Sequence, residues 1–383
     1  MHTLKVETPL LKQAIDAVLP FTDQKRVGTL ACIRLSTKRG NDGMLLVLTT
    51  TDMDYSAEVE IPCNGELPDA IIVSGNGLKA IVGCINTDVI AVLVDAHTQT
   101  LTVGDNAISL ADIREYPALD TVTKGTDIHV NSNHLVKVAV ATATNGNGVL
   151  EYVCIKTNSS SIFVAIAATD GSRLHTIGVT HPDDTNTKEI LVRNKLIALT
   201  AKAINAFKIK NALVRIATHT TKDSDNIDIV ELQASSADVT IKTRHYGVAG
   251  WYPKYEQLIP VDQPYSLLVD KKLLLECIKQ ASKLSNKKTH VVELEIASRL
   301  LTMTGTTPDV GTSTGTCKIN CAQAEDIPTE FLKIAFNHKF LTDAIKHHDG
   351  DLIEMQWSPP SSPCTFRDST NKTMSLLMPV RIK

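Results

Sequence analysis

The 383-residue sequence predicts an α+β fold of three repeated domains, each with two helices packed on antiparallel sheets. Three observations carry that prediction. An apolar residue, a polar helix-start signal and an apolar stretch of helical period recur six times, at Val6, Val73, Val130, Val192, Val269 and Phe336. Successive starts lie 67, 57, 62, 77 and 67 residues apart, a recurrence that means one structural unit reused. Between the helical stretches the apolar period switches to two. Finally, Tyr-Pro segments at 115–120 and 251–264 interrupt both patterns and leave three parts with two helix units each.

The first helix is expected over 7–20, capped by Thr8, with Pro9 in the first turn where a missing N–H costs nothing. Leu10, Leu11, Ala14, Ile15, Val18 and Leu19 give it one apolar stripe. The others are expected over 74–86, 131–145, 193–210, 270–288 and 337–348, with Ser74, Asn131, Asn194, Asp270 and Asn337 supplying the caps. The first six residues read as a strand, and the helices are separated by alternating segments. In the first part these are 31–35, 44–50, 55–61, 90–94, 100–103 and 108–111. In the second they are 162–168, 175–179, 213–218, 227–234 and 239–243. In the third they are 290–296, 300–304, 316–321, 352–357, 364–367 and 374–381. The domain boundaries follow as 1–124, 125–253 and 254–383.

With 43% hydrophobic and 21% charged residues, the composition is that of a soluble globular protein. The first residues read as a strand rather than a secretory leader, and no apolar run approaches membrane-spanning length, so a cytoplasmic protein with no membrane partner is expected. Eight scattered cysteines read as buried reduced thiols, and neither a metal nor a cofactor is expected. The net charge of −3 conceals a division: the six helical stretches carry +11 and everything else −14. Stretch 193–210 has five cations and no acid, which suits sequence-independent contact with a nucleic-acid backbone.

Three motifs point elsewhere. Gly311-Thr312-Ser313-Thr314-Gly315 matches the nucleophile-elbow pattern, but it runs into an alternating segment and reads better as a hairpin loop. Asp343, His347, His348 and Asp349 could suggest a metal, but read better as a solvated helix end. Gly75-Asn76-Gly77 lacks the third glycine of a dinucleotide site and reads as a loose helix start.

Three strings, Ala168-Thr169-Asp170-Gly171-Ser172-Arg173-Leu174, Trp251-Tyr252-Pro253-Lys254-Tyr255 and Leu377-Met378-Pro379-Val380-Arg381-Ile382, converge with the threefold repeat. Together they resemble the bacterial DNA polymerase sliding clamp, the DNA polymerase III beta subunit family, over essentially the whole chain. Tyr116-Pro117-Ala118-Leu119-Asp120 is similar to the family's first linker. The resemblance implies the DNA clamp fold and a homodimeric six-domain ring around duplex DNA. Such a ring tethers the replicative DNA polymerase and confers processivity without catalysis.

Its implied partners are duplex DNA, the polymerase, a clamp loader and other proteins with clamp-binding motifs. DNA contact is assigned to Lys25, Arg26, Lys79, Lys137, Lys202, Lys208, Lys210 and Lys279. A partner-peptide groove between the second and third domains maps onto Val153, Thr169, Gly171, Ser172, Arg173, Leu174, Pro253 and Leu258. It continues through Asn337, Phe340, Met378, Pro379, Val380 and Arg381. Leu174, Leu258, Met378 and Val380 would form apolar walls, and Arg173 and Asn337 polar anchors. Ile108 and Leu110 match the dimer-interface strand and Leu284 the facing helix, with Lys283 where the family usually has an apolar residue. The competing readings are a serine hydrolase using Ser313 with a histidine of the last helix, and a scaffold that binds proteins only.

Overall fold

The computed structural model describes residues 2–23, 28–95, 97–118, 127–144, 146–158, 161–180, 188–219, 229–247, 250–297, 300–320, 333–358, 362–370 and 372–381. One unit, strand–helix–three strands, repeats six times. The first pair is β1 (His2–Glu7), α1 (Thr8–Val18), β2 (Cys32–Arg39), β3 (Met44–Thr51), β4 (Tyr55–Cys63), then β5 (Ile71–Ser74), α2 (Gly75–Gly83), β6 (Val89–Asp95), β7 (Thr100–Val103), β8 (Asn106–Ala111). The second is β9 (Asp127–Asn131), α3 (Ser132–Ala139), β10 (Tyr152–Asn158), β11 (Ser161–Thr169), β12 (Arg173–Thr180), then β13 (Lys188–Arg193), α4 (Asn194–Ala206), β14 (Leu213–His219), β15 (Ile229–Ser235), β16 (Thr240–Tyr246). The third is β17 (Tyr265–Asp270), α5 (Lys271–Ala281), β18 (Val291–Ala297), β19 (Leu300–Thr307), β20 (Gly311–Asn320), then β21 (Lys333–Asn337), α6 (His338–His347), β22 (Leu352–Trp357), β23 (Cys364–Asp368), β24 (Thr373–Leu377).

Within each pair the lead strand of one unit joins the hairpins of the other. β1 pairs with β6 and β5 with β2; β9 pairs with β14; β17 pairs with β22 and β21 with β18, all antiparallel. The chain divides into two compact units, Met1–Val136 with Val192–Ala249, and Lys137–Leu191 with Gly250–Lys383. Each is built on a twelve-stranded sheet. In the first, β4 pairs with β16 from Thr240↔Glu60 to His245↔Tyr55. In the second, β12 pairs with β24 from Arg173↔Leu377 to Ile177↔Thr373. So the third hairpin strand of one repeat joins the last strand of the next, twice in the same way.

All six expected helices lie where the sequence places them, but each is shorter than expected: α1 and α5 pass into 3-10 turns at Leu19–Phe21 and Ser282–Leu284, and α6 loses one residue at each end. Four caps form as anticipated: Ser74 Oγ accepts from Gly77 N, Asn131 Oδ1 from Asn133 N, Asp270 Oδ1 from Leu273 N and Asn337 Oδ1 from Lys339 N. Thr8 and Asn194 do not cap. They are the first helical residues, and Glu7 and Arg193 hold the capping positions without side-chain bonds. Nor is the start at Gly75 loose, since an added Cβ would stand 2.7 Å from Leu19 Cδ1. Among the described residues no helix is long and apolar enough to cross a membrane.

Each unit has an aliphatic core. Leu4, Leu11, Ile15, Phe21, Leu48 and Ile61 centre the first; Leu274, Met303, Phe336, Phe366 and Trp357 centre the second. Two glycines let α5 rest on its sheet. A Cβ at Gly305 of β19 would stand 2.0 Å from Ala281 O, and one at Gly315 of β20 would stand 2.4 Å from Cys277 O. Gly305→Ala is therefore expected to cost about 3 kcal/mol by forcing helix and sheet apart. A urea titration reads this directly, and an unchanged midpoint would contradict the close approach.

Candidate nucleic-acid interface and partner groove

The Thr169–Arg173 turn joins β11 to β12, and its residue types dictate its shape. Thr169 Oγ1 donates to Arg173 O (2.6 Å) and accepts from Gly171 N (3.1 Å). Asp170 Oδ1 accepts from Ser172 N (2.9 Å) and Arg173 N (3.1 Å). Gly171 takes a φ of +89°, which glycine adopts without strain. The turn delivers Arg173 into a cage. Its Nε donates to Asp170 Oδ2 (3.0 Å), Nη1 to Asp343 Oδ2 (2.7 Å) and Nη2 to Val140 O (2.7 Å). Its Cζ lies 4.3 Å from the Phe340 ring centroid, a cation–π contact.

Several of the expected groove residues are buried or already engaged. Arg173 is 8% exposed, with every guanidinium nitrogen engaged within the cage. Leu174 and Val153 are fully buried and belong to the core, because they face inward on β12 and β10. The Asn337 carbonyl oxygen is spent on capping α6. Exposed apolar surface remains at Leu258, Met378 and Val380, with Phe340 half-buried. The tail is tied in by Met378 N donating to Ser172 O (2.9 Å) and Val380 N to Ala335 O (2.8 Å). Pro253 follows Tyr252, whose hydroxyl accepts from Thr169 N (3.0 Å) and so fastens the second Tyr-Pro segment to the turn. Pro379 is half-buried, and Arg381, Gly171 and Ser172 are exposed. Sequence reasoning singled out Asp343 only at a helix end and Tyr252 only in a linker string, and did not read their bonds to the Thr169–Arg173 turn. The i, i+3 spacing of Phe340 and Asp343 on one helix face was the available signal.

The first unit repeats the turn bond for bond. Thr51 Oγ1 donates to Tyr55 O (2.9 Å) and accepts from Met53 N (3.0 Å). Asp52 Oδ1 accepts from Asp54 N and Tyr55 N, and Tyr246 N donates to Asp54 O. Yet Tyr55 is buried where Arg173 stands, and the exposed Met53 side chain occupies the position that Gly171 leaves open. The same joint thus occurs twice, and only one copy keeps the small residues a groove needs.

Behind the turn, three histidines are buried. The His175 ring of β12 stacks on His347 at 4.7 Å, and His347 meets His348 edge-on at 5.5 Å. His347 Nε2 donates to Thr176 O (3.1 Å), and His348 Nδ1 lies 2.7 Å from Thr373 Oγ1. Burial pushes His347 down to about 4 and His348 to about 3, and lowers His175 well below its ordinary value. The two histidines at the end of α6 are therefore dry, not solvated as expected, while Lys346 and Asp349 stay exposed. Among the described residues no group of three or more His, Cys, Asp or Glu could hold a metal ion.

The lysines fall into two classes. Lys202 and Asn205 are exposed on α4, which has no acid, and Lys208 and Lys210 in the turn after it; Lys195 is exposed but meets Asp52 (3.5 Å) and covers the Tyr55 ring (4.2 Å). Lys279 is exposed on α5. Lys79 instead pairs with Asp16 (2.8 Å), and Lys137 with Asp349. Lys25 and Arg26 lie outside the described residues.

Among the described residues, two strands have no counterpart of the β4–β16 and β12–β24 joints. β8 touches β5 only at Ile72↔Ala111 and Val73↔Leu110, and β20 touches β17 only at Leu268↔Asn320 and Val269↔Ile319. Ile108 and Leu110 are half-buried on β8, and Leu110 borders a cavity of about 360 Å³. Leu284 is half-buried after α5, with Lys283 exposed beside it. Ser313 lies in β20, donating to Ala281 O (2.6 Å) and accepting from Leu284 N (3.0 Å). A hydroxyl so engaged on a regular strand is not a nucleophile elbow, and the hydrolase reading falls.

Residues 256–381 match the family model for the DNA polymerase III beta subunit, C-terminal domain. Over the whole length the chain is similar to the beta sliding clamp of Staphylococcus aureus, 23% identical with 97% of each chain covered. It is also similar to that of Rickettsia bellii, 24% identical with 98% of this chain and 99% of the relative covered. The DNA polymerase sliding clamp of Bacillus subtilis superposes at a TM-score of 0.84, 20% identical, with 100% of each chain covered. The architecture is the α+β clamp fold.

Proposed function

We infer that this chain belongs to the bacterial beta sliding clamp family, the DNA polymerase III beta subunits, and works as a DNA sliding clamp. The observation that carries the reading is the pattern of joints. β4 meets β16 and β12 meets β24, each the third strand of one repeat against the last strand of the next. Continuing the rule, β20 of one copy meets β8 of another, and the mirrored contact closes a head-to-tail homodimer of six domains, bounded in each chain at 1–124, 125–253 and 254–383. Ile108, Leu110 and Leu284 then lie at the seam.

In this reading the basic helices face duplex DNA, and Lys202, Lys208, Lys210 and Lys279 meet phosphates without reading bases. Lys79 and Lys137 contribute less, because each already has a carboxylate partner. No bond is made or broken; the ring holds the replicative polymerase by topology. The polymerase, a clamp loader and other clamp-binding proteins dock through short peptides on Leu258, Phe340, Met378 and Val380 above the Arg173 cage.

Retention on DNA tests this. On nicked circular duplex, with a clamp loader and ATP, the protein is expected to stay bound and to leave when the circle is linearised. Leu110→Asp should weaken the dimer about 100-fold, since an unpaired carboxylate buried at the seam costs about 3 kcal/mol, and should abolish retention. Release at the same rate from circles and linear DNA would sink the clamp reading.

A further inference from the structure

Two of the free cysteines meet. Cys277 on α5 and Cys317 on β20 are buried at 1% and 5% exposure in one core, and their thiols hydrogen-bond to each other. Backbone packing brings them together. Gly315 lets α5 sit against β20, since a Cβ there would stand 3.0 Å from Cys277 Cα. Cys317 lies two residues further along β20, on the same face of the strand. By contrast, Cys32 Sγ and Cys63 Sγ reach backbone carbonyls, Gly28 O and Gly65 O.

The bond also sorts the two sulfurs. Cys277 donates, so its thiol is pushed up, by that bond first and by burial second. Cys317 accepts, and the same bond outweighs burial and lowers it. Cys317 therefore ionises first and is the nucleophile, with Cys277 in reach to resolve it. We propose that Cys277 and Cys317 form a redox site, in which hydrogen peroxide joins them as a disulfide that staples α5 to β20. The Cys317 thiolate attacks one peroxide oxygen, the O–O bond breaks, and hydroxide leaves and takes a proton as water. The Cys277 sulfur, losing its proton, then attacks the sulfur of the Cys317 sulfenic acid and expels a second water. Two thiols have given up two electrons and two protons, and one peroxide has become two waters. The staple bears on the seam, and this part rests on the clamp reading. Ser313 of β20 already holds Ala281 and Leu284 by hydrogen bonds. A covalent link one helical turn away removes motion from β20 and Leu284 before association, so less is lost on closing the ring.

The full-length protein, treated with hydrogen peroxide, alkylated and digested, tests the site. A peptide pair linked through Cys277 and Cys317 is expected, and dithiothreitol should release it. The linked form should melt about 5 °C higher, a gain absent from Cys277→Ala and Cys317→Ala treated alike. Its dimer dissociation constant should be about threefold lower than that of the reduced protein. If Cys317 joins Cys321 or another thiol instead, or goes to the sulfinic acid unlinked, the redox site is wrong. A link that forms only when urea unfolds the chain overturns it equally. A link that leaves the dimer constant unmoved removes the hold on the seam, and the clamp reading stands. A chain monomeric in both states overturns the clamp reading, and the cross-link still decides the redox site.

Discussion

Arg173→Ala is expected to lower the unfolding free energy of the protein by about 3 kcal/mol. Removal of the guanidinium strands two carboxylates and one carbonyl at once: Asp170, with 15% of its side chain exposed, Asp343, with 34%, and Val140 O. Breaking a buried ion pair from one side typically costs about 3–5 kcal/mol, because the remaining charge is left desolvated. The partial exposure of Asp343 moves the expectation to the lower end of that range. Arg173→Lys should recover little, since one ammonium cannot donate along three diverging directions and stack on Phe340 as well. Asp343→Asn, which keeps a carbonyl acceptor, should cost about 1 kcal/mol. Urea titrations of the three variants rank them. If lysine proves as good as arginine, the cage is not what holds the turn.

The cage also shows where sequence reasoning ends. Helices were legible because caps and apolar stripes are local: Ser74, Asn131, Asp270 and Asn337 announce themselves within four residues. Hairpins were legible for the same reason, and β7 and β22 have the expected boundaries. Five of the six lead strands, β5, β9, β13, β17 and β21, were not read, nor was β10. The lead strands are four to six residues long. β5, for example, is buried along Ile71, Ile72 and Val73, so it lacks the alternation that marks a strand with one wet face. They therefore passed for apolar lead-ins to helices.

The candidate site divides in the same way. The Thr-Asp-Gly turn is a local device, and its residues announce its shape. Whether Arg173 points to solvent or into a cage depends on Asp343, 170 residues away, and on a carbonyl of α3's trailing loop. No spacing rule reaches that far. The reverse holds for Lys79 and Lys137, which look like free cations in sequence and meet Asp16 and Asp349 in space.

Acidification should unfold this protein through the histidine stack. Burial lowers His347 to about 4 and His348 to about 3, and lowers His175 well below its ordinary value. Unfolded, each takes a proton near pH 6.5; folded, each stays neutral until well below that. The unfolded state thus binds more protons in between, so stability is complete above pH 6.5 and falls as pH drops. At pH 5 the loss is about 2 kcal/mol for each of His347 and His348. The groups facing the stack do not rescue it. Lys137, Lys271 and Arg173 oppose protonation, while Asp349 and Asp368 favour it too weakly to offset burial. Asp368 itself is held at about 2, with Thr370 and Thr373 hydrogen bonds outweighing the effect of burial, so its own contribution is lost only below pH 4. His175→Phe keeps a ring stacked on His347 and removes one desolvated base. It should flatten the pH 7 to 5 slope by up to about 1.4 kcal/mol per pH unit without loss of stability at pH 7.5. Urea titrations at four pH values decide it: a stability independent of pH above 5, or an unchanged slope in His175→Phe, would remove the stack as the acid-labile element.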